Sequence, residues 1–259
     1  MPRLSLSFLG PFQVFLDGLP ETSFDSSKVR ALLAYVAVEG GRPHPRDVLA
    51  DMLWPDRSNA DALSNLRYAL YNLRNAIGDR EAKPSYLLID RSSVQLNERS
   101  DYVLDVAEFE RLTEEAHVGR LEDAEGGQSE HCQRLQAAVA LWQGSFLEGF
   151  SVADSPRFEE WALLKREQLC RRLVGALKAL VVMHERCGEY NLAIQWARRQ
   201  IEAEPWNERV HRKLMRLLVR TGERGAAVQH YEACRRLMRQ SVGLEPTEKT
   251  RKLLERIKG

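Results

Sequence analysis

The chain has 259 residues, which is long for one compact domain and sufficient for two. Hydrophobic residues make up 44% and charged residues 29% of it, a composition typical of a folded protein rather than a disordered one. The formal net charge is +1, and the first hundred residues contain as many acidic as basic side chains. Bulk charge therefore gives no argument for nucleic-acid binding, which would have to come from the local placement of cations.

Motifs for catalysis, metal binding and membrane insertion are absent from the sequence. It contains no GxxxxGK[ST] loop, no GxGxxG loop and no HExxH helix, so no enzyme activity is predicted. The four cysteines form no CxxC pair and have no histidine pair at zinc spacing, so neither a metal nor another cofactor is expected. The first residues lack the apolar core of a signal peptide, and no run reaches the roughly 18 apolar residues of a membrane span. We therefore expect a cytoplasmic protein without membrane contact.

The N-terminal segments predict a small sheet followed by two helices. Residues 4–24 alternate apolar and polar side chains around two turn dipeptides, which predicts a short antiparallel sheet. A first helix, KVRALLAYVAVEG, follows a cap at Asp25 or Ser26. Pro45 begins a second helix, RDVLADMLW, because proline is favoured at the first helical position.

The segment DALSNLRYALYNLRNAIG, residues 61–78, predicts a third helix with two contrasting faces. At about 100° per residue, four apolar side chains fall within roughly 40° of one direction: Leu66, Leu70, Leu73 and Ile77. The opposite face carries polar and aromatic side chains suited to reading base edges: Ser64, Arg67, Tyr68, Tyr71 and Asn75. No acidic residue lies between Asp61 and Asp79, so this face would not repel phosphate.

The next segment, SYLLIDRSSVQLN, contains two short apolar strands around Arg91-Ser92-Ser93 and predicts a hairpin. A sheet, three helices with an exposed polar third helix, and a two-stranded ribbon together describe a winged helix-turn-helix. We therefore predict a winged-helix DNA-binding domain over residues 1–100.

After about residue 103 the strand signal disappears, and helical patterns predict an all-α domain over residues 101–259. Two helices, 105–116 and 130–142, are separated by the polar stretch GRLEDAEGGQSE. Pro156 begins a long helix that runs to Gly188. The predicted fold class is thus mainly α with a small N-terminal β component.

An internal repeat is visible in the last third of the chain. Gly-Glu, Ala, Ile and Gln at positions 188–195 recur 34 residues later as Gly-Glu, Ala, Val and Gln, which is the tetratricopeptide period. Small residues at these fixed positions let paired helices approach closely, while Pro205 and Pro246 break the chain after each unit. We expect two clear tetratricopeptide-like units and one or two degenerate ones.

The ordered set of segments resembles the SARP family, the antibiotic-regulator type of bacterial transcriptional activators. The matching pieces are KVRALLAYVAV, LADMLWPDR, NLRYALYNLRNAIGD, FLEGF with FEEWALLKRE, EPWNERVHRKLMRLL, HYEACRRLM and GLEP. Members of this family pair an OmpR-like winged helix with a bacterial transcriptional activator domain of tetratricopeptide-like helices. The resemblance covers nearly the whole chain.

The resemblance implies a regulator that binds repeated promoter sites in double-stranded DNA as a homodimer and helps to recruit RNA polymerase. Its third helix would lie in the major groove, with the five outward side chains facing the bases and with Asn72 and Arg74 nearer the edges. Arg67 would contact guanine or a phosphate, and Asn75 would pair with adenine. The tyrosines would contact phosphate or a thymine methyl group.

Further contacts are expected outside the third helix. Arg91 at the hairpin tip is placed to enter the minor groove, where the negative potential favours a guanidinium. Three side chains gather around the start of the second helix, whose free amides also favour phosphate: Arg42, His44 and Arg46. By the resemblance, the loop of residues 55–60 faces polymerase, so Asp56 and Arg57 are candidate contacts to its sigma or alpha subunit.

Two alternatives to a sequence-specific transcriptional activator remain open from the sequence. The helical repeat could act as a protein-interaction scaffold beside a winged helix without DNA affinity, which the neutral charge of the first hundred residues favours. The chain could also be the regulatory input module of a larger signalling ATPase or cyclase. Loss of salt-dependent DNA binding would favour the scaffold.

Overall fold

The computed structural model describes residues 3–119 and 127–259. By its internal contacts the chain divides into two compact units, one of residues 1–111 with 140–169 and one of residues 112–139 with 170–259. The predicted domains, 1–100 and 101–259, follow a different division, because residues 140–169 pack with the N-terminal part. Within the described ranges, the fold class is mainly α with small sheets, as predicted.

The strands of the described residues are short and lie mostly in the N-terminal hundred residues. They are β1 (Leu4–Ser7), β2 (Gly10–Pro11), β3 (Gln13–Leu16), β4 (Leu19–Pro20), β5 (His44–Pro45), β6 (Leu87–Ile89), β7 (Ser93–Leu96), β8 (Tyr102–Leu104) and β9 (Phe146–Glu148). The helices are α1 (Ser27–Val38), α2 (Arg46–Leu53), α3 (Asn59–Ala76), α4 (Asp105–Gly119), α5 (Gly127–Leu141), α6 (Pro156–Arg186), α7 (Tyr190–Ala203), α8 (Glu208–Arg220), α9 (Arg224–Val242) and α10 (Glu248–Lys258). Residues 120–126, within the polar stretch predicted between two helices, lie outside the described residues.

The first sheet has the strand order β4-β3-β1-β8. Strand β1 is antiparallel to β3, with Leu6 opposite Val14, as the alternating pattern predicts. On its other side β1 pairs in parallel with β8, and β2 pairs in parallel with β9. The prediction that strands end near residue 103 is therefore wrong, because β9 lies beyond it. The prediction of a purely antiparallel sheet is also wrong, because β8 pairs in parallel with β1. Strands of three residues are too short to show a period of two, so the sequence gives no local signal for them.

The three helices of the first unit follow the predicted order. Ser26 is the N-cap of α1, and its hydroxyl accepts a hydrogen bond from the Val29 backbone N–H at 3.4 Å. Helix α3 packs on α1 and α2, and the hairpin of β6 and β7 follows it. Strand β5 pairs with β7, which makes the predicted two-stranded wing a three-stranded sheet.

The second unit contains the repeat that the sequence predicts. Helices α7 and α9 begin 34 residues apart, at Tyr190 and Arg224, and α7, α8, α9 and α10 pack successively on one another. Ala193 and Ala227, which occupy equivalent repeat positions, are both fully buried. The small side chains allow the close helix packing expected of such repeats.

A membrane-spanning segment would need a long apolar helix. Among the described residues, no helix has the length and hydropathy needed to cross a bilayer.

Candidate nucleic-acid interface

One face of helix α3 is anchored in the core of the first unit. The apolar side chains predicted to anchor it are at most 4% exposed: Leu66, Leu70, Leu73 and Ile77. Ser58 is the N-cap, its hydroxyl accepting from the Asp61 backbone N–H at 3.2 Å and donating to the Asp61 carboxylate at 2.7 Å. Helix α3 therefore begins at Asn59, directly after this cap. These contacts fix which face of α3 points outward.

The outward face carries all five side chains that the helical pattern places there. Tyr68 is 65% exposed and Tyr71 is 53% exposed, although large aromatic side chains are usually at least half-buried. Ser64, Arg67 and Asn75 are exposed as well. The Arg67 Nε donates to the Leu63 carbonyl of its own helix at 3.3 Å, and no ion pair of Arg67 is found among the described residues. No part of the first unit that the structure describes covers these five side chains, so a partner can contact them.

Asp25 and Arg80, neither of which was predicted to belong to this surface, contact the exposed tyrosines. The Tyr68 hydroxyl donates to Oδ2 of Asp25 at 3.0 Å, and this hydrogen bond to a carboxylate raises the pKa of Tyr68. The Arg80 guanidinium lies over the Tyr71 ring, 5.2 Å from its centroid. Arg80 therefore adds a cation to the C-terminal end of this surface. Its position shortly after the end of α3 was the feature of the sequence that could have indicated this.

Asn72 and Arg74, predicted at the edges of the groove-facing surface, are both engaged within the protein. The Asn72 side-chain oxygen accepts from the Asp25 backbone N–H at 3.2 Å. The Arg74 Nε donates at 2.7 Å to Asp79, whose side chain is completely buried. Asp79 also accepts from the Leu87 backbone N–H at 2.9 Å. This pair links the end of α3 to the first strand of the hairpin, so Arg74 has a structural role.

The tip of the hairpin is held by Asp90. Its carboxylate accepts hydrogen bonds from the backbone N–H groups of Ser92 and Ser93, at 2.7 and 2.6 Å, and from both of their hydroxyls. These bonds lower the pKa of Asp90 to about 2. Arg91 lies inside this turn and is exposed, as its predicted role requires.

The cluster expected at the start of α2 is only partly at the surface. His44 is 5% exposed, its Nε2 is 2.9 Å from the Glu39 carbonyl, and its ring packs edge-on against Tyr35. The prediction that His44 faces phosphate is therefore wrong, because β5 carries the imidazole into the core. Arg46 donates to the Asp90 carbonyl at 3.2 Å and so supports the wing. Arg42 is exposed, with a nitrogen 3.4 Å from a Glu39 carboxylate oxygen.

The loop between α2 and α3 borders a cleft of about 670 Å³ in the first unit. Asp56 and Arg57 are exposed and line it together with Trp54 and Tyr68. Lys28, also in the lining, pairs with Asp154 at 2.7 Å. The two residues predicted to contact polymerase thus lie beside Tyr68 of the exposed α3 face.

An exposed helix α3 following α2, with a hairpin after it, defines the winged helix-turn-helix class, here in a chain that continues into paired helices of tetratricopeptide type. The sequence profile described as "Bacterial transcriptional activator domain" matches residues 104–258, more than half of the chain. The chain belongs to the SARP family of transcriptional regulators, whose members carry this domain.

Known relatives align along nearly the whole chain. The "Regulatory protein AfsR" of Streptomyces coelicolor is 27% identical over 98% of this chain, which corresponds to 24% of AfsR. The "Transcriptional regulatory protein EmbR" of Mycobacterium tuberculosis is 26% identical over 98% of this chain and 63% of EmbR. The chain therefore spans less than two thirds of the length of each of these relatives.

A solved structure shares the fold. It is "Mycobacterium tuberculosis EmbR in complex with low affinity phosphopeptide", which superposes with a TM-score of 0.69 at 23% sequence identity and covers 99% of this chain and 65% of that one.

Proposed function

We propose that the chain is a sequence-specific DNA-binding activator whose helix α3 enters the major groove of promoter DNA. The observation that carries this proposal is the outward face of α3, on which Arg67, Tyr68 and Tyr71 are exposed while the leucines opposite them are buried. A helix presenting arginine, asparagine and tyrosine can reach base edges and phosphates when it lies in the groove. The absence of acids between Asp61 and Asp79 supports the same placement.

Arg91 extends this mode of binding to the wing. The Asp90 carboxylate binds the backbone N–H groups of the two residues that follow Arg91, so the exposed guanidinium starts from a defined position. A preorganised arginine loses less conformational entropy when it enters a narrow minor groove. Arg42 and Arg46, with Arg80 beside Tyr71, supply phosphate contacts around the groove.

Activation is proposed to require RNA polymerase and a second copy of the chain on repeated sites. Asp56 and Arg57 are exposed beside the α3 surface and would contact polymerase while α3 binds DNA. The double variant Asp56→Ala/Arg57→Ala is expected to retain promoter affinity and to lose activation in transcription with purified polymerase. Unchanged activation would remove this loop from the proposal.

Fluorescence anisotropy with a labelled duplex from upstream of the chain's own gene tests DNA binding. Arg67→Ala and Tyr71→Ala are each expected to weaken promoter binding by about tenfold, since a good base contact contributes about 1 to 3 kcal/mol. Arg236→Ala on α9 is the matched control, because Arg236 is an exposed arginine of the second unit. Promoter binding that is absent or independent of salt would favour the protein-interaction scaffold.

A further inference from the structure

The second unit contains a cleft lined almost entirely by cations. It has a volume of about 500 Å³ and lies between helices α8 and α10. Six of the seven lining side chains are basic: Arg209, Arg212, Arg216, Lys249, Lys252 and Arg256. The seventh is Leu253. We call this surface the α8/α10 cleft.

Helical spacing explains how the cations meet in the α8/α10 cleft. Arg209, Arg212 and Arg216 are three and then four residues apart on α8, which places them in one row about 10 Å long. Lys249, Lys252 and Arg256 have the same spacing on α10. Because α10 packs on α8, the two rows line opposite sides of one groove.

A partly buried carboxylate holds the two rows together. Glu208, the first residue of α8, accepts hydrogen bonds from the backbone N–H and hydroxyl of Thr247 at 3.0 and 2.7 Å, and from the hydroxyl of Thr250. Burial alone would raise the pKa of Glu208, but the hydrogen bonds from Thr250 and Thr247 bring it below its ordinary value. Glu208 is therefore a charged anchor for the start of α10.

Internal ion pairs neutralise only part of the positive charge. Arg212 lies 3.6 Å from Glu208 and donates to Thr250 at 2.8 Å, and Lys252 pairs with Glu248 at 2.6 Å. In the described part of the chain, no ion pair is found for the other four cations of the cleft, which are all exposed: Arg209, Arg216, Lys249 and Arg256. Bringing four cations together without acidic partners costs electrostatic free energy that an anion would recover.

We propose that the α8/α10 cleft binds the phosphate backbone of nucleic acid, as a second contact surface of the same DNA-binding protein. The composition favours this partner over a protein, since protein interfaces are enriched in aromatic and apolar residues whereas this cleft has one leucine and no aromatic side chain. It also disfavours a small ligand, whose pockets are mostly apolar. Four arginines suit phosphate, whose oxygens accept two parallel N–H bonds from one guanidinium.

The inference rests on the proposed function and supplies what that function lacks. The first hundred residues have balanced charges, and Arg67 is the single arginine among the five outward side chains of α3, so phosphate neutralisation there is limited. Cations in the α8/α10 cleft would add affinity that does not depend on base sequence. The cleft should therefore strengthen binding to any duplex, whereas α3 should discriminate between duplexes.

Charge reversal in the cleft provides the test. Arg209→Glu/Arg216→Glu in the full chain is compared with Arg224→Glu/Arg236→Glu, which makes the same change in charge at exposed arginines of α9. Arg209→Gln/Arg216→Gln removes charge without adding acids and guards against misfolding. Each protein is titrated by anisotropy with promoter duplex and with unrelated duplex of equal length, at salt concentrations from 50 to 200 mM, after its thermal melt has been recorded.

The Gln variant is expected to lose about two phosphate contacts and therefore to depend less on salt. When salt rises from 50 to 200 mM, its DNA affinity should fall by a factor about ten times smaller than that of the wild type. The loss of affinity relative to the wild type should be the same for the promoter and the unrelated duplex, and the α9 control should bind both as the wild type does. Cleft variants that bind both duplexes like the α9 control would overturn the inference. Wild-type DNA affinity combined with lost activation by polymerase would overturn it in favour of an acidic protein partner.

The same titrations separate this inference from the proposed function. Arg67→Ala should weaken promoter binding selectively and leave the unrelated duplex unaffected. Cleft variants that lose affinity while Arg67→Ala binds normally would support the cleft and contradict the role of α3. The opposite pattern would contradict the cleft and support α3.

Discussion

Asp79 joins the proposed recognition helix to the wing, and its replacement should loosen both. Its side chain is completely buried, 2.7 Å from the Arg74 Nε and 2.9 Å from the Leu87 backbone nitrogen. Asp79→Asn retains the size and one acceptor but removes the charge that pairs with Arg74. Breaking a fully buried ion pair costs about 3 to 5 kcal/mol, and the partly exposed Arg74 can recover some of this from water. We therefore expect a loss of about 2 to 3 kcal/mol for the first unit.

Urea unfolding and hydrogen exchange measure this loss. With a slope of about 2 kcal/mol per molar urea, the midpoint of the first unit should fall by about 1 M. Backbone amides of residues 85–97 should exchange faster, because the β6 end of the hairpin loses its anchor. Glu81→Gln, an exposed acid two residues away, is the matched control and should stay within about 0.5 kcal/mol of the wild type. An Asp79→Asn midpoint equal to that of the control would refute the role assigned to the pair.

Three further predictions concern titrating groups and the outward surface. Burial and the neighbouring His211 lower the pKa of His230 to about 4. The contribution of His230 to the stability of the second unit should therefore be complete above pH 6.5 and be lost as the pH falls to 4, by at most about 2 to 3 kcal/mol because the ring is partly exposed to solvent. His230→Gln should flatten that profile in urea titrations, and an unchanged slope would contradict the assignment. Asp90→Ala should reduce promoter affinity about threefold by freeing the turn around Arg91. In the wild type, the Ser93 amide should be protected from hydrogen exchange above pH 3.8 and should lose this protection as the pH falls through about 2. Protection of that amide below pH 2 would contradict the role given to the Asp90 carboxylate. Asp25→Asn removes a negative charge 3.0 Å from the Tyr68 hydroxyl and should tighten promoter binding about threefold at low salt, whereas weaker binding would place Tyr68 away from phosphate.

Local patterns predicted the elements that depend on neighbouring residues in the sequence. The helical period of α3 identified both its buried leucines and its outward tyrosines, and Ser26 was one of two proposed caps. The 34-residue repeat was visible because each unit repeats the same small residues at the same helix positions. These features need no knowledge of distant contacts.

Features that depend on distant pairing were not predictable in this way. Strand β9 forms because Phe146 pairs with Gly10, and His44 is buried because β5 adds to the hairpin. The α8/α10 cleft likewise needs two cationic rows, each an ordinary charged helix face by itself, to be brought together by Glu208. Local patterns do not specify which distant segments will meet.

Guanine methylation protection on promoter DNA tests most directly whether α3 lies in the major groove, where guanine N7 is exposed. With the wild-type chain bound, we expect N7 to be protected at guanines in repeated half-sites, and we expect Arg67→Ala to lose that protection at concentrations that still saturate the duplex. Saturated binding that leaves every major-groove guanine reactive, or protection that Arg67→Ala and Tyr71→Ala leave intact, would contradict the proposed docking of α3.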